Sequence, residues 1–496
     1  MTHWIGVFVG NLYQKLLENG KSDFYPYHMP GHKRKPLTEV LKRVCDIDIT
    51  EIDGFDNLHH AEGILAQLQK RAAKIYGSEE CFYLVGGSTA GILSAIATVI
   101  KRGETFLIGR NCHKSVYHGA YLNGANTEYL FPESVKGVGI VGEVTAQQVQ
   151  LALESNSRIK AVIIVSPTYE GVVSNVREIA DIVHEYGIPL IVDEAHGAHF
   201  GFHEMWPHSA CTQGADIVIQ SLHKTLPSLT QTALLHVNGN LVDRSRLKRF
   251  LAIHQTSSPS YVFMAGIEES LDYMESVGKS RMDKFADLWW QMLKNLSACK
   301  VLMIYPKKMD GQDFGDAKET KEKRIKYDIG KLVISVENSN ISGQKLYDIL
   351  LNDYHLQMEM AGGSYVLAMF TLADEQDAYV RLTEALLEID KKLRISVPAK
   401  AKSDVAPNRE PLEKAMEFWM AWDMTTELVD VDDCDGRIAG DFINLYPPGV
   451  PVVVPGEILK EEILEIIKEY IRQGLPVHGV KCMEGKVWLE VIYGKQ

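Results

Sequence analysis

The amino-acid sequence predicts an α/β protein whose largest unit is an open, mostly parallel β-sheet. Between residues 62 and 278, short apolar runs alternate with amphipathic helical stripes, and each run is nearly continuous. Strands of this kind are buried on both faces, so helices must cover both sides of the sheet. The 496-residue chain is long enough for this unit and for smaller α/β units after it.

The elements of the large unit follow from periodicity and turn residues. Helices are predicted over 62–76, from residue 86 onward, and over 176–186, where Gly187 and Pro189 end the helix. The apolar runs predict strands over 81–85, 105–108, 161–165, 189–193 and 215–220.

After residue 280 the pattern changes. Residues 306–326 are rich in Lys, Asp and Gly and predict a mobile loop, while strands over 331–336 and 364–371 alternate with helices over 343–354 and 375–393. Pro398, Pro407 and Pro411 indicate a linker. The predicted segments are an N-terminal arm (1–40), a large domain (41–285), a small α/β domain (286–395), a linker (396–410) and a C-terminal α/β domain (411–496).

Charge and composition exclude several function classes. The chain has 52 Lys+Arg against 65 Asp+Glu, a formal charge of -13, which is unfavourable for nucleic acid and mildly favours a cationic substrate. No run of roughly 18 uncharged apolar residues predicts a membrane span. The start lacks the features of a secretion signal, and the seven cysteines form no C-x-x-C pair. We therefore expect free thiols and a cytoplasmic protein without membrane or nucleic-acid partners.

Lys224, in Ser221-Leu-His-Lys224, is the focal residue of the chain. It follows the predicted strand 215–220, and ligands of open α/β sheets bind at the carboxyl ends of strands. Asp193 ends the preceding strand and is expected at the same edge. The two residues could form a plain ion pair. Alternatively, the lysine could hold an aldehyde as a Schiff base while the carboxylate partners a pyridinium nitrogen.

A glycine-rich turn supplies the phosphate cradle that the second alternative requires. Gly86-Gly87-Ser88-Thr89-Ala90-Gly91 lies between a strand and a helix, whose first turn presents free N–H groups and a positive dipole end. No Gly-Lys-Ser/Thr follows, so the turn is not a Walker A loop. Taken alone, it could also be a simple helix cap.

Two other patterns in the sequence resemble binding sites. Gly137-Val-Gly-Ile-Val-Gly142 has the G-x-G-x-x-G spacing, but no buried strand precedes it and Val162, about 20 residues on, is not acidic. Asp193, His196, His199 and His203 could form a metal site, yet no H-E-x-x-H motif accompanies them. We predict neither a dinucleotide nor a metal.

His113 follows the strand 105–108 and belongs to the same edge of the sheet. It could be a loop histidine bonded to the backbone. It could also stack on a planar cofactor and take part in proton transfer.

Together these motifs resemble the Orn/Lys/Arg decarboxylase family of pyridoxal-phosphate enzymes, in its short form. The matching stretches are Tyr27-His-Met-Pro-Gly-His-Lys33, Asp53-Gly-Phe-Asp-Asn-Leu58, Gly87-Ser-Thr-Ala-Gly91, Arg110-Asn-Cys-His-Lys-Ser115, Pro167-Thr-Tyr-Glu-Gly171, Asp193-Glu-Ala-His-Gly-Ala-His199, Gln220-Ser-Leu-His-Lys224, Thr256-Ser-Ser-Pro-Ser-Tyr261, Tyr446-Pro-Pro-Gly449 and Val454-Pro-Gly-Glu457. The resemblance implies an aspartate-aminotransferase-type fold, with pyridoxal phosphate bound in the large domain. The receiver-like domain of the long members has no counterpart in this sequence, so their decameric assembly is not expected.

The resemblance also implies roles for individual residues. Lys224 matches the Schiff-base lysine, and Asp193 matches the partner of the pyridinium nitrogen. His113 matches the ring stacked on one cofactor face, and Ala195 would pack on the opposite face. The adjacent His196 is also expected to bind the cofactor.

Further matches concern the phosphate and the subunit arrangement. Gly87, Ser88 and Thr89 match the phosphate loop, with Ser221 and His223 beside it and beside the lysine. Ser257 and Ser258, after Thr256, resemble the stretch that reaches the phosphate of a neighbouring subunit. This implies a homodimer or a higher homo-oligomer with shared sites.

The implied reaction is decarboxylation of a basic amino acid to agmatine, cadaverine or putrescine, amines of the polyamine pathway. Arginine is the first choice, then lysine or ornithine. Lys224, His223, Asp193 and His113 are the expected catalytic residues, with Lys224 or His223 returning a proton to Cα. Three acidic residues could bind the distal cation of the substrate, namely Glu170, Glu457 and Asp441.

The sequence leaves two alternatives to a decarboxylase open. An aminotransferase of the same fold would need an arginine on the substrate α-carboxylate, for which Arg437 is the candidate. A non-catalytic regulatory subunit would have no chemical need for Lys224, Asp193 and His113.

Overall fold

The structure is a computed structural model that describes residues 11–22, 29–30, 33–35, 38, 42, 44–135, 138–306, 327–395, 411–445 and 449–494. The predicted linker 396–410, the predicted loop beyond residue 306, and parts of the motifs at 27–33 and 446–449 lie outside the described residues.

A seven-stranded mixed sheet forms the centre of the large unit, in the order β1-β9-β8-β7-β6-β2-β3. The pair β4 and β5 forms a separate antiparallel hairpin. The strands are β1 (Glu80–Leu84), β2 (Thr105–Gly109), β3 (Asn126–Leu130), β4 (Ser134–Val135), β5 (Ile140–Val141), β6 (Ile159–Val165), β7 (Leu190–Asp193), β8 (Ile217–Ser221) and β9 (Ala233–Val237).

The prediction of a large, mostly parallel sheet is confirmed, with one reversed strand. β9 runs antiparallel to both β1 and β8, whereas the pairs from β8 to β3 are parallel. Because β9 is reversed, β1 is parallel to β8, and the carboxyl ends of six strands lie at one edge. In the G-x-G-x-x-G stretch, which the structure describes from residue 138 onward, Ile140 and Val141 form β5 of the hairpin and no helix begins there.

Helices cover both faces of this sheet. Along β2, Phe106 and Ile108 belong to one buried cluster and Leu107 to the other, so the strand is apolar on both sides. The helices are α1 (Leu12–Gly20), α2 (Ile64–Tyr76), α3 (Gly87–Val99), α4 (Lys114–Leu122), α5 (Ala146–Ser155), α6 (Val176–Glu185), α7 (Leu222–Thr225), α8 (Arg244–His254), α9 (Tyr261–Tyr273) and α10 (Lys279–Leu296).

Side-chain caps set several helix starts. The Thr145 hydroxyl accepts from the Gln148 N–H, and the Gln148 side chain accepts from the Thr145 N–H, which closes a capping box at α5. At α6 and α8 the Asn175 and Asp243 side chains accept from the N–H groups of Glu178 and Arg246, without the reciprocal bond of a capping box. Among the described residues, no helix has both the length and the apolarity to cross a bilayer.

A four-stranded antiparallel sheet follows, in the order β10-β11-β13-β12. Its strands and helices are β10 (Met303–Tyr305), β11 (Lys331–Ser335), β12 (Met360–Ala361), β13 (Tyr365–Met369), α11 (Gly343–Tyr354) and α12 (Gln376–Lys392). The predicted strands and helices of this unit agree with these bounds to within a few residues.

The C-terminal residues form two small antiparallel sheets, β14-β19-β18 and β16-β15-β17. The elements are β14 (Thr426–Asp430), β15 (Ile443–Leu445), β16 (Val450–Val453), β17 (Val477–His478), β18 (Val480–Met483), β19 (Lys486–Ile492), α13 (Phe418–Trp422) and α14 (Glu461–Arg472). β16 lies against the large unit, because the Arg110 guanidinium after β2 donates to the Pro451 carbonyl.

Candidate active site

Lys224 lies in the single helical turn α7, directly after β8. Its Nζ is 3.0 Å from Nε2 of His196. Burial lowers the pKa of Lys224, and the nearby Asp193 and Glu359 carboxylates oppose the shift. A lysine held in this way has more of its neutral amine at neutral pH than an exposed lysine has.

Asp193 is the last residue of β7, the strand adjacent to β8. It is buried, and its Oδ1 accepts a 3.1 Å hydrogen bond from the Ala195 N–H. Burial raises the pKa of Asp193, while the Lys224 cation opposes the shift. A carboxylate in this position gains from a second cationic or N–H partner.

His113 occupies the N-cap position of α4, after β2. Its Nδ1 accepts from the Ser115 N–H at 3.2 Å and lies 2.9 Å from the Ser115 hydroxyl, which fixes the ring. Burial, with the Lys224 charge as the next contribution, lowers the pKa of His113 to about 4. The imidazole is therefore neutral near pH 7.

The glycine-rich turn forms the start of α3, a 13-residue helix. Gly87 has a φ of +70°, which a residue with a side chain rarely adopts, and its N–H donates to the Gln231 carbonyl at 2.9 Å. The Ser221 hydroxyl donates a 3.0 Å hydrogen bond to Ser88 Oγ, so the end of β8 contacts the start of α3. This contact places two hydroxyls beside a helix N-terminus.

His223, next to Lys224, is also fixed by one nitrogen. Its Nδ1–H donates to the Thr232 carbonyl at 3.1 Å. Burial lowers the pKa of His223, so the neutral ring with Nε2 as its free basic atom is favoured.

One cavity of about 630 Å³ lies beneath these side chains. Ten of the twelve sequence-predicted site residues line it: Gly87, Ser88, Thr89, His113, Asp193, Ala195, His196, Ser221, His223 and Lys224. They come from the carboxyl ends of β1, β2, β7 and β8, the edge where such a site was expected.

Ser257 and Ser258 are not in the described lining of this cavity. The preceding residue, Thr256, accepts a 2.9 Å hydrogen bond from His59 through its carbonyl, and its hydroxyl accepts from the Ser258 N–H. The structure therefore does not bring these serines to the site of their own chain.

The structure distinguishes the three carboxylates that could bind the distal cation of the substrate. Glu170 lines the cavity, and its Oε1 accepts a 2.9 Å hydrogen bond from Tyr365. Glu457 is instead paired with Arg110 at 3.3 Å. Asp441 accepts from the Trp422 indole at 3.1 Å and is not in the described lining.

The three histidines that the sequence suggested as metal ligands have separate hydrogen-bond partners. His199 Nε2 lies 2.8 Å from Asp328, and His203 Nε2 lies 3.0 Å from Asp283. His196 lies between two lysine side chains. The residues that the structure describes contain no group of three or more His, Cys, Asp or Glu arranged for a metal ion.

Sequence reasoning missed the wall that the later units contribute. Glu359, Met360 and the Gly362–Tyr365 loop close one side, and β15, β16 and α14 close another with Leu445, Val450, Pro451, Val452, Ile463, Ile466 and Tyr470. Lys331, fully buried on β11, also escaped notice. A charged residue at the head of an apolar strand was the available signal for Lys331, but no local motif marks the others.

The cavity residues fit pyridoxal phosphate. The start of α3, with Ser88, Thr89 and Ser221, can take a phosphate, and Lys224 offers a partly neutral amine to an aldehyde. The buried Asp193 carboxylate, which has the Ala195 N–H as its hydrogen-bond donor among the described residues, can take a pyridinium N–H. The volume is also adequate for the cofactor and a small substrate together.

Comparisons with known proteins cover most of the chain. A family model described as "Orn/Lys/Arg decarboxylase, major domain" matches residues 10–378, and "Orn/Lys/Arg decarboxylase, C-terminal domain" matches residues 404–486. The chain is 30% identical to the arginine decarboxylase of Bacillus anthracis, over 95% of both chains. It is 31% identical to that of Halalkalibacterium halodurans, over 94% of both chains. The solved lysine decarboxylase of Francisella novicida has the same fold, with a TM-score of 0.80 at 20% identity, covering 97% of this chain and 81% of that one.

Proposed function

The chain belongs to the Orn/Lys/Arg decarboxylase family, and we propose that it decarboxylates arginine with pyridoxal phosphate held on Lys224. Decarboxylation of a basic amino acid is the activity of the family. Arginine is favoured because the relatives that carry this name are 30–31% identical over nearly full length, whereas the solved lysine decarboxylase is 20% identical.

One observation carries the proposal. Lys224, Asp193 and His113 lie in the same cavity as two carboxylates, Glu170 and Glu359, which are supplied by other loops. The first three residues suit a cofactor with an aldehyde and a pyridine ring, and the two carboxylates suit a cation at the far end of a substrate.

Bound pyridoxal phosphate supplies an electron sink for the pair of electrons left on Cα when CO₂ departs. Asp193 would hold a proton on the pyridine nitrogen, because a buried carboxylate favours an adjacent N–H⁺ over the neutral ring. Ala195 orients this carboxylate through its N–H.

Lys224 and His223 are the proposed proton donors to Cα. Both side chains line the cavity. Since His223 Nδ1 is committed to the Thr232 carbonyl, only its Nε2 can carry a proton to the substrate. His113, whose pKa is lowered to about 4 by burial, is neutral near pH 7 and would lie against the cofactor ring without adding a charge there.

The rest of the cavity wall would reduce the solvation of the substrate carboxylate. Ile463, Ile466 and Tyr470 of α14 line the cavity, and poor solvation of the carboxylate favours loss of CO₂. Arg437, the candidate for an aminotransferase, is bound to the Glu427 carboxylate at 2.5 Å and is not in the described lining. This observation weighs against the aminotransferase alternative.

The proposal includes a homodimer, or a multiple of one, with Ser257 and Ser258 completing the phosphate site of the other subunit. Its support is the family resemblance and the position of these serines away from the cavity of their own chain. A Lys224→Ala chain mixed with a chain carrying Ala at 256, 257 and 258 should then regain activity in one of two sites. Activity no greater than the sum of the parents, with subunit exchange shown by native mass measurement, would place each site within one chain.

We also propose a cytoplasmic enzyme of polyamine biosynthesis with agmatine as its product. None of the seven cysteines forms a disulfide in the part of the chain that the structure describes, which suits a reducing compartment.

The deciding experiment measures CO₂ release from arginine, lysine and ornithine at equal concentration. Arginine is expected to give the highest kcat/KM. Borohydride reduction and peptide mapping should place the pyridoxyl label on Lys224, with exposed Lys160 unlabelled. A label on another lysine, or a preference for lysine or ornithine, would contradict the corresponding part of the proposal.

A further inference from the structure

We propose that Lys331 controls the charge of Lys224, because the two lysines share one proton through the imidazole of His196. The inference rests on the proposed function in one respect, namely that Lys224 is the residue that binds the cofactor. Lys331 is then a positioning residue, since it acts on the chemistry through His196.

The three side chains form a continuous chain of hydrogen bonds. Nζ of Lys224 lies 3.0 Å from Nε2 of His196, and Nζ of Lys331 lies 3.1 Å from Nδ1 of the same ring. Lys224 follows β8 of the central sheet, whereas Lys331 begins β11 of the four-stranded sheet. Residues 107 positions apart therefore meet on opposite edges of one buried imidazole.

The donors and acceptors of this chain permit only one charged lysine. A neutral imidazole has one N–H and one lone pair, and an ammonium group can only donate. If Lys331 donates to Nδ1, then Nε2–H must donate to Lys224, which accepts as a neutral amine. If Lys224 is the ammonium, the directions reverse and Lys331 is neutral. Two ammonium groups would leave one of the hydrogen bonds impossible.

The environment favours the loss of one charge. His196 is the single hydrogen-bond partner of each lysine among the described residues, and neither lysine forms an ion pair within 4 Å there. Lys331 is 1% exposed. Two unpaired cations in such a place would be strongly destabilising.

Charged and titratable groups surround the hydrogen-bonded Lys224–His196–Lys331 side chains without forming ion pairs with the two lysines. Asp328 is engaged by His199 at 2.8 Å and by the Gly330 N–H, and Glu170 is engaged by Tyr365. The groups that act on the two lysines and on His196 are Asp193, Glu359, Asp328, Glu170, His113 and His199, with the Tyr169 ring 4.6 Å from that of His196.

These surroundings allow one proton to move between the two lysines near neutral pH. Burial lowers the pKa of Lys331 to about 8, against the opposing effect of Asp328 and Glu359. Burial also lowers the pKa values of Lys224 and His196. The His196 ring therefore passes a proton between the lysines instead of keeping it.

The transfer is balanced. One proton moves from Lys331 Nζ to His196 Nδ1 while the proton on Nε2 moves to Lys224 Nζ, and the total charge is unchanged. With Lys331 charged, Lys224 is the neutral amine that can attack the cofactor aldehyde. With the proton on Lys224, the same group can protonate Cα without bulk water.

The test measures how fast the apoprotein of the full chain captures pyridoxal phosphate as a function of pH, by absorbance and by borohydride labelling of Lys224. Lys331→Met removes the charge and the donor, so Lys224 can keep its own proton by donating to Nε2. The pH midpoint of capture should rise by about one unit, a tenfold lower rate at a fixed pH below it. Lys160→Met, at an exposed lysine, is the matched control and should leave the midpoint unchanged.

Lys331→Gln provides a second variant in case the methionine is poorly accommodated. It keeps a donor for Nδ1 but lacks the charge, so its midpoint should rise in the same direction by less. Midpoints equal to wild type, in folded variants that still label Lys224, would overturn the inference and leave the proposed function intact. Absence of the label from wild-type Lys224 would instead overturn the proposed function.

Discussion

The hydroxyl of Tyr365 donates a 2.9 Å hydrogen bond to Oε1 of Glu170. Glu170 belongs to the loop after β6, whereas Tyr365 begins β13 in the four-stranded sheet. Burial raises the pKa of Glu170, and the Tyr365 hydrogen bond opposes the shift. The contact therefore favours an ionised carboxylate on the cavity wall, at a point where two units meet.

Glu170→Gln should weaken arginine binding. Loss of a charge-assisted hydrogen bond to the guanidinium is expected to lower kcat/KM by about 10- to 100-fold, mainly through KM. Steady-state CO₂ release gives the value, with Glu185→Gln on the exposed face of α6 as the control. A decrease of less than about threefold would show that Glu170 does not contact the substrate cation.

Asp193→Asn should retain the cofactor and lose most of the rate. A neutral amide cannot hold the pyridine nitrogen protonated, so kcat should fall by at least about 1,000-fold, or roughly 4 kcal/mol in the barrier. The pyridoxyl label on Lys224 should persist, which separates this effect from loss of binding. Asp181→Asn, at an exposed position on α6, should be neutral. A variant within about tenfold of wild type would contradict the assigned role.

His236 should make the folded chain sensitive to mild acid. Its ring lies between Ser78 and Gln220, at 2.9 and 3.1 Å, and burial lowers its pKa to about 3. The unfolded chain takes up a proton near pH 6.5 and the folded chain does not, so the free energy of unfolding falls as the pH drops from about 6.5 towards 3. The slope from this residue is at most about 1.4 kcal/mol per pH unit.

Urea unfolding at several pH values between 7 and 5 measures this slope. His236→Gln, which can keep both hydrogen bonds, should show a shallower decline, and exposed His60→Gln should match wild type. Equal slopes in all three proteins would exclude His236 as a source of acid sensitivity.

The Arg110–Glu457 pair should be essential for stability. The two side chains are 7% and 5% exposed, and the pair joins the large sheet to the C-terminal residues. Arg110→Met leaves a buried carboxylate without its partner and should cost about 3–5 kcal/mol. Arg110→Met with Glu457→Met should recover part of the loss, because no lone charge remains.

The midpoint of thermal unfolding reports these differences. Arg244→Met, which removes the partly exposed pairs with Glu79 and Glu80, is the control and should cost no more than about 1 kcal/mol. A double variant less stable than Arg110→Met would show that the ion pair is not the source of the loss.

The sequence was most informative where structure is local. Continuous apolar runs predicted β7 and β8, and the residues at their ends, Asp193 and Lys224, do line one cavity. The helix opening at Gly87 was predicted from its two glycines. The functional roles of these residues remain predictions, as do the domain limits, of which the one at 285 falls inside α10.

Features that depend on contacts between residues far apart in the sequence could not be predicted. The apolar run of β9 does not encode its direction, which is set by its neighbours β1 and β8. Lys331 lies on β11 next to His196, and Glu359 lies on a loop that lines the cavity. Both positions depend on how the second sheet packs against the first. The His196 ring shows no motif for two lysine partners, because one of them lies 135 residues further along the chain.

The reversed strand β9 has a geometric consequence for the cofactor. β1 and β8 are two positions apart in the sheet, about 9.6 Å at the usual strand spacing. Strand spacing is fixed by backbone hydrogen bonds, so the backbone sets the separation of the two strand ends that precede the phosphate loop and Lys224. Because β9 is reversed, it begins at the edge where β1 and β8 end. Just before β9, the Gln231 carbonyl accepts a hydrogen bond from the Gly87 N–H. Residues 226–232 therefore connect the helical turn that carries Lys224 to the carbonyl that holds Gly87, and a change in the length of this segment would move the phosphate loop relative to Lys224.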